Sequence, residues 1–470
     1  MNKIFIHNTA VRKKEEFQPL NKGLVKFYHC GPTVYWTQHI GNLRGMICAD
    51  FIVRTFKYLD YKVIHVRNYT DVGHLTSDED EGEDKMEKGA KREGLTPLEI
   101  ADKYIKTFER DAKELNISEP SHKPRATQHV KEMIAIIETL LEKGYAYGTD
   151  LAIYFDISKF KNYGSLTGQK LEEKKTGAGA GEISDPQKKN PADFVLWFFK
   201  AGAHKNALQF WPSPFRSSLV ENGEGFPGWH IECSAMSKKY LGDTIDIHMG
   251  GVEHISIHHS NEIAQSEAAN GVKFANYWAH NEHLLVNNRK MAKSEGTGYS
   301  LAEIKEKGFS PMALRYFFLG AHYRSRQNFT WEALESAQNG LSHIHNQIRQ
   351  IDIKEKKLKI NQEYKNKFVE KIANDFNMPE ALAVAPEVLK ANLPDEEKLG
   401  TIFDFDKILG LNLDQIKSED LPEDIKKIIQ EREVARKAKD FQKSDALRQE
   451  IENKGYVVED SQDKILVYKK

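Results

Sequence analysis

A short polar stretch, His39-Ile40-Gly41-Asn42, follows Cys30-Gly31-Pro32-Thr33, between an apolar segment ending at Tyr28 and a helical one beginning near Leu43. Strand, loop and helix start, in that order, make an anion site before any side chain is counted. Backbone N–H groups and the positive end of the helix dipole both face such a loop. Most connections of this kind bind nothing, so the loop alone marks only where a phosphate could sit. A second loop, Lys290-Met291-Ala292-Lys293-Ser294, carries two lysines far along the chain. Lysine is a flexible point charge that can follow a phosphate through a reaction. The same residues would equally suit a plain exposed basic loop. If the two loops face each other, they clamp a phosphoryl centre as charge develops on it.

The chain has three cysteines, Cys30, Cys48 and Cys233, odd in number and far apart, which argues against a disulfide framework. Cys48 falls inside a helical apolar pattern and reads as a small buried hydrophobe. Cys30 lies on the first loop, and Cys233 ends the stretch Trp229-His230-Ile231-Glu232-Cys233. His258 and Glu262 are one helical turn apart, so both project from one face of a predicted helix. Two thiolates, an imidazole and a carboxylate suit tetrahedral zinc. A His and a Glu at this spacing are more often a solvated face, and no Cys-x-x-Cys occurs. The zinc reading therefore needs a fold that gathers distant segments at one edge.

The hydrophobic pattern supplies such a fold. Leu24 to His29 alternates as a strand, Leu43 to Leu59 has helical spacing, and Lys62 to Val66 is a β-branched run. This βαβ unit predicts a parallel sheet with ligands at the carboxyl ends of its strands, where Cys30 to Asn42 and Asn68 to Gly73 would lie. An acidic run, Asp78 to Asp84, reads as a solvated loop, followed by helices over Pro97 to Leu115 and Thr127 to Leu141 and a strand over Leu151 to Phe155. Residues 171–191 are Gly-, Ala- and Lys-rich and read as a flexible loop. The sheet resumes after Trp229: helix to Leu241, strand Thr244 to Met249, Gly250-Gly251, helix His258 to Asn270, apolar Leu284 to Val286. Beyond Ser310-Pro311 the pattern is helical, with a Lys-rich passage over 351–367, and it ends in a small hairpin, Tyr456 to Glu459 with Ile465 to Lys469.

At 470 residues, with 40% hydrophobic and 29% charged residues, the chain can bury a sizeable core and should form about three domains by length. A formal net charge of −1 gives no overall footprint for nucleic acid, so any such surface must be local. Met1 to Asn8 has no leader pattern, and no run approaches the ~18 apolar residues of a membrane span. The expectation is a cytoplasmic protein with no membrane partner.

Taken together, these segments resemble the cysteinyl-tRNA synthetases, class I aminoacyl-tRNA synthetases, over essentially the whole chain. Class I enzymes carry His-Ile-Gly-His and Lys-Met-Ser-Lys-Ser signatures on the halves of a split nucleotide-binding sheet, and His39 to Asn42 and Lys290 to Ser294 stand in those places. Cys30 to Tyr35, Asn68 to Asp71, Pro227 to Met236 and Asn261 to Ser266 are family-like as well. The resemblance implies an α/β fold: a split Rossmann-like parallel-sheet catalytic domain with an inserted subdomain, then a mainly α-helical tRNA-binding region. It divides the chain into first catalytic half (1–75), inserted connective subdomain (76–205), second catalytic half (206–286), signature-loop and stem-contact region (287–350), helical bundle (351–410) and anticodon-binding module (411–470). It implies one zinc on Cys30, Cys233, His258 and Glu262. ATP, accompanied by Mg2+, would meet Thr33, His39, Gly41, Asn42, Gly250, Gly251, Glu253 and Lys293. Catalysis would rest on His39, Lys290 and Lys293, and the bound amino acid would meet Thr70 and Trp229. The implied partners are L-cysteine, ATP and tRNA(Cys), and the implied state is a monomer. Asn42 replaces the second His of the first signature, Ala292 replaces a Ser, Glu253 stands where Asp is commoner, and Ser260 where the family often has Glu. A paralogous ligase that joins cysteine to an amino sugar shares the catalytic half but lacks the anticodon-binding end, whereas this chain continues through Arg436 to Phe441.

Overall fold

The computed structural model describes residues 3–72, 84–168, 185–291, 297–351, 358–416, 421–460 and 465–469. A hairpin opens the chain, β1 (Phe5–Asn8) antiparallel to β2 (Lys13–Glu16). Then come β3 (Leu24–His29), α1 (Ile40–Tyr58) and β4 (Lys62–Arg67), the βαβ unit that the pattern predicts. Next are α2 (Lys85–Glu93), α3 (Pro97–Glu114) and α4 (Val130–Glu142). α3 starts where the sequence says it must: Thr96 and Glu99 form a reciprocal capping box, with Pro97 at the first position. A four-stranded antiparallel sheet follows, β5 (Ala146–Gly148), β6 (Ala152–Phe155), β7 (Phe194–Phe199) and β8 (Gly225–Pro227), in chain order.

The parallel sheet then resumes with α5 (Trp229–Leu241), β9 (Ile245–Gly251), α6 (His258–Asn270) and β10 (Ala275–Asn281). Its strand order is β10-β9-β3-β4, with every pairing parallel. Alternate residues of these strands enter different cores. Val25, Phe27, Ile247 and Tyr277 join a cluster with α1, while Tyr28 and Trp278 join one with α4, α5 and α6. Both faces of the sheet are thus covered, as a parallel sheet requires.

A small sheet of β11 (Leu284–Val286), β12 (Arg289–Lys290) and a later strand leads into α7 (Leu301–Glu306) and α8 (Pro311–Leu319), that strand being β13 (Gln327–Phe329). The long α9 (Trp331–Arg349) precedes α10 (Gln362–Ala373), α11 (Met378–Lys390) and α12 (Asp395–Leu409). The C-terminal part has α13 (Glu423–Lys437), α14 (Phe441–Asn453) and a hairpin of β14 (Tyr456–Asp460) with β15 (Ile465–Lys469). It has a core of its own, with Ile425, Ile428, Leu447, Ile451 and Val458. Among the described residues no helix is long and apolar enough to cross a membrane.

One buried ion pair ties α1 to the helices beyond the sheet. Asp50 of α1 and Arg315 of α8 meet at 2.6 Å with both side chains fully buried. Arg315 also donates to the carbonyls of Leu409 (2.6 Å) and Leu115 (3.0 Å), and Arg54 makes a second ion pair with Asp50 at 2.8 Å. Burial alone would raise the Asp50 carboxyl, but Arg315 and Arg54 hold it below the usual carboxylate range. Removing one partner strands a desolvated charge, so Asp50→Asn should cost about 3 kcal/mol or more. The check is denaturant unfolding followed by intrinsic fluorescence, where an unchanged midpoint would refute this role for the pair.

Candidate active site and metal centre

The carboxyl ends of β3, β4, β9 and β10 open onto one cleft. The loop after β3 is held by short bonds. Cys30 N–H donates to the Met249 carbonyl at 3.0 Å, and Gly31 N–H donates to Asn68 Oδ1 at 2.9 Å. A Cβ at Gly31 would lie 1.7 Å from the Asn68 carbonyl oxygen, so only glycine lets the two loops approach this closely. Val34 N–H donates to the Thr70 carbonyl at 3.1 Å, and Thr70 N–H to the Pro32 carbonyl at 3.2 Å, which sets Thr33 and Thr70 side by side.

His39 is the N-cap of α1, its ring Nδ1 accepting the Asn42 N–H at 3.2 Å. The first turn has no acidic residue of its own to offset the positive end of the helix facing the cleft. Thr33, His39, Gly41 and Asn42 line one wall, and Gly250, Gly251 and Glu253 line the other. Met291 lies across Gly41, where a Cβ would sit 2.1 Å from its Cε. The two signature loops therefore touch through Met291. Lys290 is exposed on β12 opposite Leu285 and does not line the cleft in this conformation. Lys293 lies outside the described residues.

Deeper in, Cys30, Cys233, His258 and Glu262 offer donor atoms that all lie within 4.8 Å of one another, every one of these residues buried. α5 brings Cys233 and α6 brings His258 and Glu262, one turn apart as the spacing predicts. Trp229, at the start of α5, stacks on His258 with ring centroids 4.2 Å apart. His230 Nδ1 meets His258 Nδ1 at 2.9 Å, and the other ring nitrogen of His258, Nε2, lies 3.1 Å from Glu262 Oε1. Trp229, Thr70, Cys30, Cys233 and His258 reach the cleft.

Two histidines that sequence reasoning did not single out crowd the same spot. His248 Nε2 and His259 Nε2 lie 3.5 and 3.4 Å from Cys30 Sγ, and with Cys30 and Glu262 they form a second possible donor set. The adjacent pair His258-His259 and the alternation of β9 were the available signals, each also typical of an ordinary core histidine.

The electrostatics of this cluster are of a kind that a cation would relieve. Burial pushes the Glu262 carboxyl well above its ordinary value and the Cys30 thiol well above its own, the latter helped by Cys233. Burial pulls the neighbouring imidazoles the other way, His248 down to about 3 and His259 well below its ordinary value. Glu262 Oε1 faces only imidazoles and a thiol, and Oε2 has no hydrogen-bond partner among the described residues. An S2NO donor set whose desolvated carboxylate pairs with no lysine or arginine among the described residues fits a zinc ion.

Parallel sheet, His39-capped helix and interrupting subdomain are the parts that the resemblance to the class I aminoacyl-tRNA synthetases implies, and the comparisons with known proteins establish that class. The family described as tRNA synthetases class I (C) catalytic domain matches residues 16–339, and the cysteinyl-tRNA ligase anticodon binding domain matches residues 418–467. The cysteine–tRNA ligase of Treponema denticola is 42% identical over 488 residues, spanning 97% of this chain and 97% of that protein. The cysteine–tRNA ligase 1 of Burkholderia lata is 42% identical, spanning 97% of this chain and 95% of that protein. The chain belongs to the cysteinyl-tRNA synthetase family. In fold it is similar to the Mycobacterium tuberculosis methionyl-tRNA synthetase in complex with methionyl-adenylate, with a TM-score of 0.54, 14% identity, and 83% of this chain and 90% of that chain covered.

The donor set makes a direct prediction. Cys233→Ser should lower the zinc retained per chain after gel filtration, measured by elemental analysis, and unchanged content would remove Cys233 from the set.

Proposed function

We propose that the cleft activates L-cysteine with ATP and then transfers the cysteinyl group to the 3′ end of tRNA(Cys). The observation that carries this reading is the buried Cys30, Cys233, His258 and Glu262 cluster, which opens into the same cleft as the His39 helix start. In the first step the cysteine carboxylate attacks the α-phosphate of ATP. A new P–O bond forms, pyrophosphate leaves, and cysteinyl adenylate remains. In the second a terminal ribose hydroxyl attacks the adenylate carbonyl and AMP leaves.

No side chain acts as a nucleophile in either step, so positioning and electrostatics carry the rate. His39, the α1 N-terminus, Lys290 and Lys293 stabilise negative charge on the phosphates of ATP, which would arrive accompanied by Mg2+. Thr33, Gly41, Asn42, Gly250, Gly251 and Glu253 hold the nucleotide, and Thr70 and Trp229 hold the amino acid. Of the two donor sets, the one with Cys233 and His258 is favoured as the zinc site, because those residues reach the cleft where a substrate thiol would arrive. Bound there, zinc supplies a soft Lewis acid that prefers a thiol to a hydroxyl. An apolar pocket would separate near-isosteric substrates by only about 1–3 kcal/mol.

The amino-sugar ligase alternative would share the catalytic half. The match of residues 418–467 to an anticodon binding domain favours tRNA as the acceptor.

Cysteine-dependent exchange of labelled pyrophosphate into ATP, followed by charging of tRNA(Cys), tests both steps. No exchange would sink adenylate chemistry, and exchange without charging would favour the amino-sugar acceptor. Lys293→Ala should depress exchange at least tenfold while cysteine binding is kept, and a normal exchange rate would refute its assigned role.

A further inference from the structure

A chain of hydrogen bonds leaves the cysteine cluster and ends on a residue that no part of the mechanism uses. His259 Nε2 lies 3.4 Å from Cys30 Sγ, His259 Nδ1 lies 2.8 Å from His280 Nε2, and His280 Nδ1 lies 2.8 Å from Thr9 Oγ1. His259 and His280 are buried, and a neutral imidazole carries a single N–H. Thr9 follows the last residue of β1, in the turn of the N-terminal hairpin. Its own N–H is anchored on the Trp278 carbonyl at 2.9 Å, and Asn8 brackets the same strand through the Asn276 carbonyl and the Trp278 N–H.

The direction of this chain is set at its sulfur end. A thiol could donate to His259 Nε2, and every bond would then run outward to an accepting Thr9. A metal-bound thiolate has no proton to give. His259 Nε2 must then carry the hydrogen, because two lone pairs facing each other in a buried site would repel. That leaves His259 Nδ1 as an acceptor for His280 Nε2–H, and His280 Nδ1 as a bare lone pair. In this orientation the Thr9 hydroxyl is the donor that satisfies the last nitrogen. A hydroxyl can turn its hydrogen either way at no cost to the fold, so Thr9 suits both states of Cys30.

We propose that Thr9 is a positioning residue for the metal centre: its hydroxyl donates to the last bare nitrogen of the His280–His259 pair and so stabilises the arrangement in which an N–H is presented to the Cys30 sulfur. This rests on the reading of Cys30 as a zinc ligand. An N–H donated to a ligating sulfur tempers its charge and holds its orientation, and outer-sphere partners of this kind are worth about 10- to 100-fold in metal affinity.

The test compares the full-length chain with Thr9→Val and Thr9→Ser. Valine keeps the shape and β-branching of threonine and removes only the hydroxyl, while serine keeps the hydroxyl. Zinc affinity is read by chelator competition, and the sulfur environment by the S-to-Co(II) charge-transfer band of the cobalt-substituted protein. Thr9→Val should bind zinc about 10-fold or more weakly and shift the cobalt band, and Thr9→Ser should stay within about twofold of wild type. Wild-type affinity in Thr9→Val overturns the proposal. So does an equal loss in both variants, or a lower melting temperature of the metal-free Thr9→Val protein with zinc affinity unchanged, since either assigns Thr9 a packing role. A wild-type chain that binds no zinc would instead overturn the metal reading itself, a result visible before any variant is made.

Discussion

The backbone bond from Cys30 N–H to the Met249 carbonyl, 3.0 Å long, continues the parallel pairing of β3 with β9 past the last paired residues, His29 and Met249. This pairing joins the two halves of the sheet across the whole inserted subdomain. Because side chains on a strand alternate faces, a slip of one residue would turn Tyr28 and His248 to the α1 side and carry the loops after β3 and β9 out of line. The aligned ends place the His39 loop and Gly250-Gly251 on opposite walls of one cleft, with Cys30 beneath them. Register and site geometry are therefore the same constraint, and the hydrophobic cores on the two faces of the sheet are what enforce it.

Below the cleft the protein does something costly: it buries several titratable groups of similar kind without a protein cation among them. Aromatic contacts keep the rings in place. His248 stacks on Tyr28 and on Trp278, with centroids 5.1 and 4.5 Å apart, and His258 stacks on Trp229. Burial lowers the basicity of His248 and His259, so these rings can donate or accept a hydrogen bond without adding charge repulsion to the cluster. A neutral, oriented imidazole shell around a charged donor set is how a protein tunes such a site without competing for it.

The elements that position the site were legible because each has a clean period. β3, α1 and β4 follow from alternation and helical spacing, and α6 starts and stops where its pattern does, closed by Gly271 in the left-handed region at φ 73°. The elements that escaped notice lack such a period. β1 and β2 are short, and β2 reads Lys-Lys-Glu-Glu, indistinguishable from a solvated loop. β10 reads Ala-Asn-Tyr-Trp-Ala-His-Asn, with polar residues breaking its apolar run, yet it forms an edge of the main sheet and carries His280. His248, His259 and His280 each resemble a satisfied core histidine when taken one at a time. Only the three-dimensional convergence of β9, α6 and β10 makes them a group.

α1 also connects this site to the helices that follow the sheet. Its first turn presents His39 to the cleft, and one face further along carries Asp50 and Arg54, which bind Arg315 of α8 and the Lys407 carbonyl of α12. A second tie lies between α10 and α11, where Asp375 and Phe376 both hold positive φ, 59° and 53°. Strain of about 1–3 kcal/mol per residue persists only where the surroundings over-determine it. Here the Asp375 carboxylate accepts the Tyr323 hydroxyl at 2.8 Å, Arg324 Nε at 2.7 Å and the His7 N–H at 2.8 Å, binding the N-terminal hairpin and the bundle to the same point. Any movement of the bundle relative to the sheet must break a desolvated ion pair, release that strain or carry α1 with it. Of these, carrying α1 leaves the buried bonds intact, so the helix that His39 caps is also the element through which the helices beyond the sheet are tied to the cleft.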